Sequence, residues 1–252
     1  MKQIMMNMKR LVLFTALVMV LAACNKDELT TRAVSIEVKG YNIGNSELEV
    51  TIDTVVYDKS KTAANSLLNF GMVYTYPSSK GQALLKIKDL VTGKEVYQNQ
   101  LDLNTGGLEH VFPFVFINGA PLEIKAPAGD PSTNKMAFYI YYPESNDAMD
   151  IYMKNVENEI VYIAKKVVPG TWVYSDYVTT PGFTDLNATY KWFFVKAGTK
   201  DQWAFNDSEW MSQFATGTLF IPKKGEKGRV QTYFVTPTSN QLDVVSLFKV
   251  IN

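Results

Sequence analysis

After Arg32 the chain alternates apolar and polar residues with a period of two. Val34, Ile36 and Val38 are separated by polar positions. Leu48, Val50 and Ile52 repeat the pattern, and a change of phase then brings Val55 and Tyr57. On an extended backbone successive side chains point to opposite faces, so this alternation sends one face of each segment into a core. Segments 67–76, 83–89 and 95–103 continue the series and are rich in β-branched and aromatic residues. Turn formers separate them: Gly44-Asn45, Pro77-Ser78-Ser79, Thr92-Gly93-Lys94 and Thr105-Gly106-Gly107. Between Leu85 and Val96 the pattern is a β-hairpin, with Gly93 supplying the positive φ of its turn.

The second half keeps the style without repeating the sequence. Strands are expected over 136–142, 150–155, 159–168, 171–179, 189–196, 218–221, 230–236 and 242–250. One short helix is expected, capped by Asn206 or Asp207, running through Phe214 and stopped by Gly217. Short strands at this spacing predict an all-β chain built as antiparallel β-sandwiches. The richest break is Ala126-Pro127-Ala128-Gly129-Asp130-Pro131, continuing through Asn134. It divides the chain into an N-terminal sandwich over 33–127, of immunoglobulin-like or transthyretin-like size, and an aromatic-rich sandwich over 128–252. A rival boundary at 143–149 would give the strand over 136–142 to the first sandwich. No repeat of fixed period is evident.

The first residues follow a different logic. Lys2, Lys9 and Arg10 precede an almost unbroken apolar run from Leu11 to Ala23. That is the layout of a secretory signal, and the run is too short for a spanning helix. It ends in Leu21-Ala22-Ala23-Cys24, which resembles a bacterial lipobox. The resemblance implies removal of residues 1–23 and acylation of Cys24, with membrane attachment through that residue. Two or more acyl chains are needed for a stable hold. Asn25-Lys26-Asp27-Glu28 resembles the signal that sends lipoproteins of the Bacteroidota to the outer face of the outer membrane. Residues 24–32 are then a polar tether.

Charge and chemistry narrow the function classes. The 25 cations and 25 acids cancel. Lys2, Lys9 and Arg10 leave with the signal, so the mature chain is near −3 (0 − 3). No basic stripe marks a nucleic-acid binder. The cluster Lys223-Lys224-Gly225-Glu226-Lys227-Gly228-Arg229 is expected to be an exposed hairpin loop. Cys24 is the only cysteine and His110 the only histidine. Disulfides, thiol catalysis and a histidine-rich metal site are therefore excluded once Cys24 is acylated, and His110 is expected to have a structural or surface role. No nucleotide loop, nucleophile elbow or other cofactor motif is present. Carboxylate chemistry stays open through Asp176, Asp185, Asp201, Asp207 and Glu209, which lie among aromatics. Glu144, Asn146, Asp147 and Asp150 crowd oxygen ligands into one segment but lack EF-hand spacing.

The aromatic distribution is the strongest positive feature. Trp172, Trp192, Trp203 and Trp210 all fall in the last third. On an extended strand Trp172, Tyr174 and Asp176 share one face, and Tyr190, Trp192 and Phe194 share another. Trp172, Tyr174, Asp176, Trp203 and Trp210 are therefore candidate glycan-binding residues, with burial in the core as the alternative for each tryptophan. Asp53-Thr54-Val55 resembles the O-glycosylation pattern of the Bacteroidota, marking Thr54. The expected function is a non-catalytic surface binding lipoprotein, accessory to the capture of a glycan or other nutrient. The alternatives are a structural, adhesin-like or transporter-associated lipoprotein, and a carboxylate-dependent hydrolase.

Overall fold

The computed structural model describes residues 30–104, 107–184, 190–216, 221–222 and 225–250. Cys24, its flanking signals and Asp185 lie outside them. The first half forms β1 (Thr31–Ile43), β2 (Leu48–Ile52), β3 (Val55–Thr62), β4 (Ser66–Pro77), β5 (Gln82–Asp89), β6 (Glu95–Asp102), β7 (Glu109–Ile117) and β8 (Ala120–Pro121). They make two sheets, ordered β4-β1-β7-β8 and β3-β2-β5-β6. The alternating side chains meet between the sheets. Val34, Ile36 and Val38 of β1 share a core with Leu48, Val50 and Ile52 of β2 and with Leu85 and Ile87 of β5. Each such burial stabilises the fold by roughly 1.5–3 kcal/mol. The β5–β6 hairpin turns through Gly93 at φ 71°. Asp89 fixes that turn by accepting the amides of Val91 and Thr92 at 2.8 and 3.0 Å.

The second half forms β9 (Asn134–Ile140), β10 (Met149–Lys154), β11 (Ile160–Val167), β12 (Trp172–Tyr177), β13 (Tyr190–Lys196), β14 (Gln213–Thr216), β15 (Val230–Pro237) and β16 (Leu242–Val250). Its sheets are ordered β12-β9-β15-β16 and β11-β10-β13-β14. Raising every strand number of the first sandwich by eight reproduces the second. The likeness extends to pairing direction. Among the described residues all strand pairs are antiparallel except β1 with β7 and, at the equivalent place, β9 with β15. The chain is thus all-β, two sandwiches of one topology whose sequences show no repeat of fixed period.

Two local expectations change. No α-helix forms over 206–214. Asn206 and Asp207 both take positive φ, 51° and 50°, which turns the chain instead of capping a helix. A single 3-10 turn, Trp210–Ser212, follows, and Gln213 is extended so that β14 can pair with β13. Nor is the whole of 223–229 an exposed loop: Arg229 is buried and paired with Glu226, while Lys223 and Lys224 lie outside the described residues. The strand expected over 218–221 falls largely outside them too.

The sandwiches meet sheet to sheet. β1 runs past Gly40, and its last residues are buried on both faces. Tyr41 and Ile43, with Val115 of β7, pack on Phe234, Val245 and Leu247 of β15 and β16. The connector after β8 is docked against the second sandwich. Leu122 and Ile124 enter the same cluster, and the carbonyls of Glu123 and Lys125 accept hydrogen bonds from Trp172 Nε1 (3.0 Å) and the Tyr174 hydroxyl (3.3 Å).

Candidate ligand-binding site

A groove of about 630 Å³ lies where the second sandwich meets the first. Its walls are β14 and β16, the edge strands of the two sheets of the second sandwich, and Leu67 of β4 reaches it from the first. The 3-10 turn places Trp210 on the rim with 76% of its surface exposed. Around it stand Lys191, Gln213, Gln241 and Asp243. Lys191 projects from β13 on the face opposite Trp192 and donates to Gln213 Oε1 at 3.2 Å. Gln241 donates to Asp243 Oδ1 at 2.8 Å. The other oxygen of Asp243 accepts the Tyr41 hydroxyl at 2.9 Å, a bond between residues 202 apart in sequence. Burial, and then the Asp243 carboxylate, hold the Tyr41 phenol well above its ordinary value, so it stays a donor. The groove therefore presents an exposed indole beside side chains whose polar atoms are already oriented.

The other candidates are placed elsewhere. Trp172 is half-buried, with its ring 5.3 Å from that of Tyr139, and its indole N–H is engaged by the connector. Tyr174 stays exposed on the same face, and Asp176 forms a 2.6 Å ion pair with Lys135. This trio thus sits beside the interdomain connector, apart from the groove. Trp203 closes a small aromatic cluster on the outer face of the β10 sheet, stacked on Phe193 at 5.9 Å with Tyr152 and Tyr162 alongside. Trp192 is fully buried between Phe138 and Tyr233, at 5.7 and 5.1 Å.

His110 lies in β7 opposite Ile36, its ring stacked 6.3 Å from Phe112. Asp207 pairs with Lys196 at 2.7 Å, and Asp201 and Glu209 are both exposed near Tyr152. Asp150 is buried and accepts the backbone amides of Lys166 and Gly198, whereas Glu144, Asn146 and Asp147 are exposed. Among the described residues no three acidic or histidine side chains gather to hold a metal. Thr54 is exposed in the turn between β2 and β3. Asp53 beside it, at φ 55°, turns its carboxylate inward to the Leu84 amide, the Tyr74 hydroxyl and Lys80. Burial opposes ionisation there, but those hydrogen bonds outweigh it and hold the Asp53 carboxyl below its ordinary value.

No family model matches the chain, and no curated protein does. Among solved structures, the CBMbc module (family CBM26) of Amy13K from Eubacterium rectale, determined with maltoheptaose, overlays 84% of this chain and 96% of its own, at 14% identity and a TM-score of 0.24. A candidate adhesin from Bacteroides ovatus overlays 87% of this chain and 94% of its own, at 11% identity and the same TM-score of 0.24. At those scores neither overlay bears on this chain's role. Lys191, Gln213, Gln241, Asp243 and Leu67 carry no local sequence signal. They become a group only when two sheet edges and a strand of the other sandwich converge.

Proposed function

We propose that this chain is a non-catalytic binding lipoprotein, anchored in the outer membrane through Cys24 and facing the cell exterior, that captures a glycan in the groove beside Trp210. The carrying observation is the exposure of Trp210 on the rim of a groove lined by side-chain amides. A sugar ring has apolar C–H faces and a rim of hydroxyls, so a flat indole next to oriented donors and acceptors complements both.

The acids support a binding role over hydrolysis. Glycoside hydrolysis needs two carboxyl groups flanking one cleft, about 5 to 9.5 Å apart. Asp176 and Asp207 are paired with lysines on different sheets, Asp201 and Glu209 lie near Tyr152 and line neither the groove nor its walls, and the carboxylate of the groove, Asp243, is committed to Tyr41 and Gln241. The anchor rests on the lipobox, and Cys24→Ser is expected to abolish incorporation of labelled palmitate.

Affinity electrophoresis of the chain from Asn25 onward, through gels containing individual polysaccharides, tests the binding. Retardation by at least one polymer is expected. It should be lost in Trp210→Ala and kept in Trp203→Ala, because Trp203 is occupied in its own cluster. Free migration of the wild type and Trp210→Ala alike, across a broad panel, would remove the glycan reading.

A further inference from the structure

The seam between the sandwiches opens a second time on the other side of the turn joining β15 to β16. This hollow has a volume of about 510 Å³. The first sandwich contributes Asn45, Asn65 and Asn118 to its wall, and the second contributes Tyr141, Thr238 and Ser239. Asn118 Nδ2 donates to the Tyr141 hydroxyl across the seam at 3.3 Å, and Asn65 Oδ1 accepts the Gly44 amide at 3.1 Å. Glu144 is the one ionisable carboxylate in the lining.

The two hollows are neighbours. Residues 236–239 line the second, and 240–245 line the groove beside Trp210. Across the seam Asn65 lines one and Leu67 the other. Tyr41 stands between them, its hydroxyl 2.9 Å from Asp243 in the groove and 3.3 Å from the carbonyl of Asn65 in the hollow. Neighbouring hollows joined by continuous segments, with exposed Ser239 and Asn240 on the turn between, are suited to a chain that passes through both.

We propose that the seam is one extended trough for a neutral polysaccharide, gripped along its length. Trp210 stacks on one sugar, and the asparagine-lined hollow hydrogen-bonds others farther along. This rests on the glycan reading above and adds the class of glycan. Amides and hydroxyls, which serve uncharged hydroxyls as donors and acceptors, dominate the polar lining. The charges are few and mixed in sign, and Lys191 and Asp243 are already engaged by Gln213, Tyr41 and Gln241. An anionic polymer would find no run of cations to meet it.

The test uses the chain from Asn25 onward in affinity gels of xyloglucan, galactomannan, barley β-glucan and amylopectin, with polygalacturonate as the acidic polymer. Oligosaccharides of graded length from the polymer that retains it are then titrated calorimetrically. Affinity should rise with length. Asn45→Ala and Ser239→Ala, both at exposed positions that leave the fold intact, should together weaken the longest ligand about tenfold, the worth of one or two hydrogen bonds, and leave the shortest unchanged. Trp210→Ala should weaken every length. Affinity independent of length, or a longest ligand indifferent to both hollow variants while Trp210→Ala abolishes binding, overturns the trough and leaves the groove standing. Retention by polygalacturonate alone overturns its neutral character. Retention by none of the polymers overturns the glycan reading and the trough with it.

Discussion

Each of the four tryptophans meets a different neighbour, and that neighbour sets its role. Trp192 faces a second sheet and is fully buried, Trp172 meets the connector, Trp203 covers Phe193, and Trp210 meets solvent. Alternation along β13 shows which of its residues share a face, and Trp192 is the one tryptophan whose core position follows from that pattern once the face is known. For the others the deciding contact comes from residues far away in sequence. The contrast is measurable. Trp192→Ala should destabilise the chain by about 3–5 kcal/mol, because it leaves a cavity between Phe138 and Tyr233. Trp210→Ala should change stability by no more than about 0.5 kcal/mol, as exposed substitutions do. Guanidinium titrations of both variants check this, and equal losses would contradict the assigned burial.

Among the elements, β1 shows what a strand pattern conveys and what it omits. Val34, Ile36 and Val38 announce a half-buried strand. Its continuation through Tyr41 and Ile43 depends on the other sandwich, which buries their face. Gly40 is the point of closest approach. A Cβ built there would stand 1.6 Å from the carbonyl oxygen of Phe114 on the parallel partner β7. Backbone cannot yield as a flexible side chain can, so Gly40→Ala should cost at least about 3 kcal/mol, the upper range for overpacking. Denaturant unfolding should show it, whereas Gly71→Ala, with only the Glu37 side chain at 3.9 Å, should be tolerated far better. The β5–β6 hairpin is legible because its turn chemistry is local, in Gly93, and the structure adds Asp89 as the residue that holds it. The expected helix over 206–214 failed for a related reason. Its capping residues are also good left-handed turn formers, and pairing with β13 made the chain extended from Gln213 onward.

In the whole molecule, the two sandwiches are bound as one body by an apolar interface and the Tyr41–Asp243 hydrogen bond. Both proposed binding regions lie on that junction, so ligand affinity and interdomain packing are coupled. Val115 is fully buried in the interface cluster and absent from the core of its own sandwich. Val115→Asp should therefore put an unpaired charge between the sandwiches while sparing both cores. Calorimetry should find one unfolding transition in the wild type and two in the variant. A variant that still unfolds in one step would show that the interface does not carry the cooperativity. The shared strand order, including the parallel pair in each half, makes the duplication a property of topology. It escapes sequence inspection because β1 and its counterpart β9 differ in length, 13 against 7 residues, and any apolar residue satisfies the alternation.

The sequence by itself determined the all-β class, the spacing of most strands, the β5–β6 turn and the scarcity of reactive side chains. These follow from period-two patterning, local turn chemistry and composition, each read within a few residues. Only the tertiary structure decided which tryptophan faces solvent, that Tyr41 reaches Asp243, and that the two halves share one strand order. Those outcomes depend on which surfaces meet after the sheets form, and a contact between residues 202 apart leaves no trace in the pattern of its neighbours.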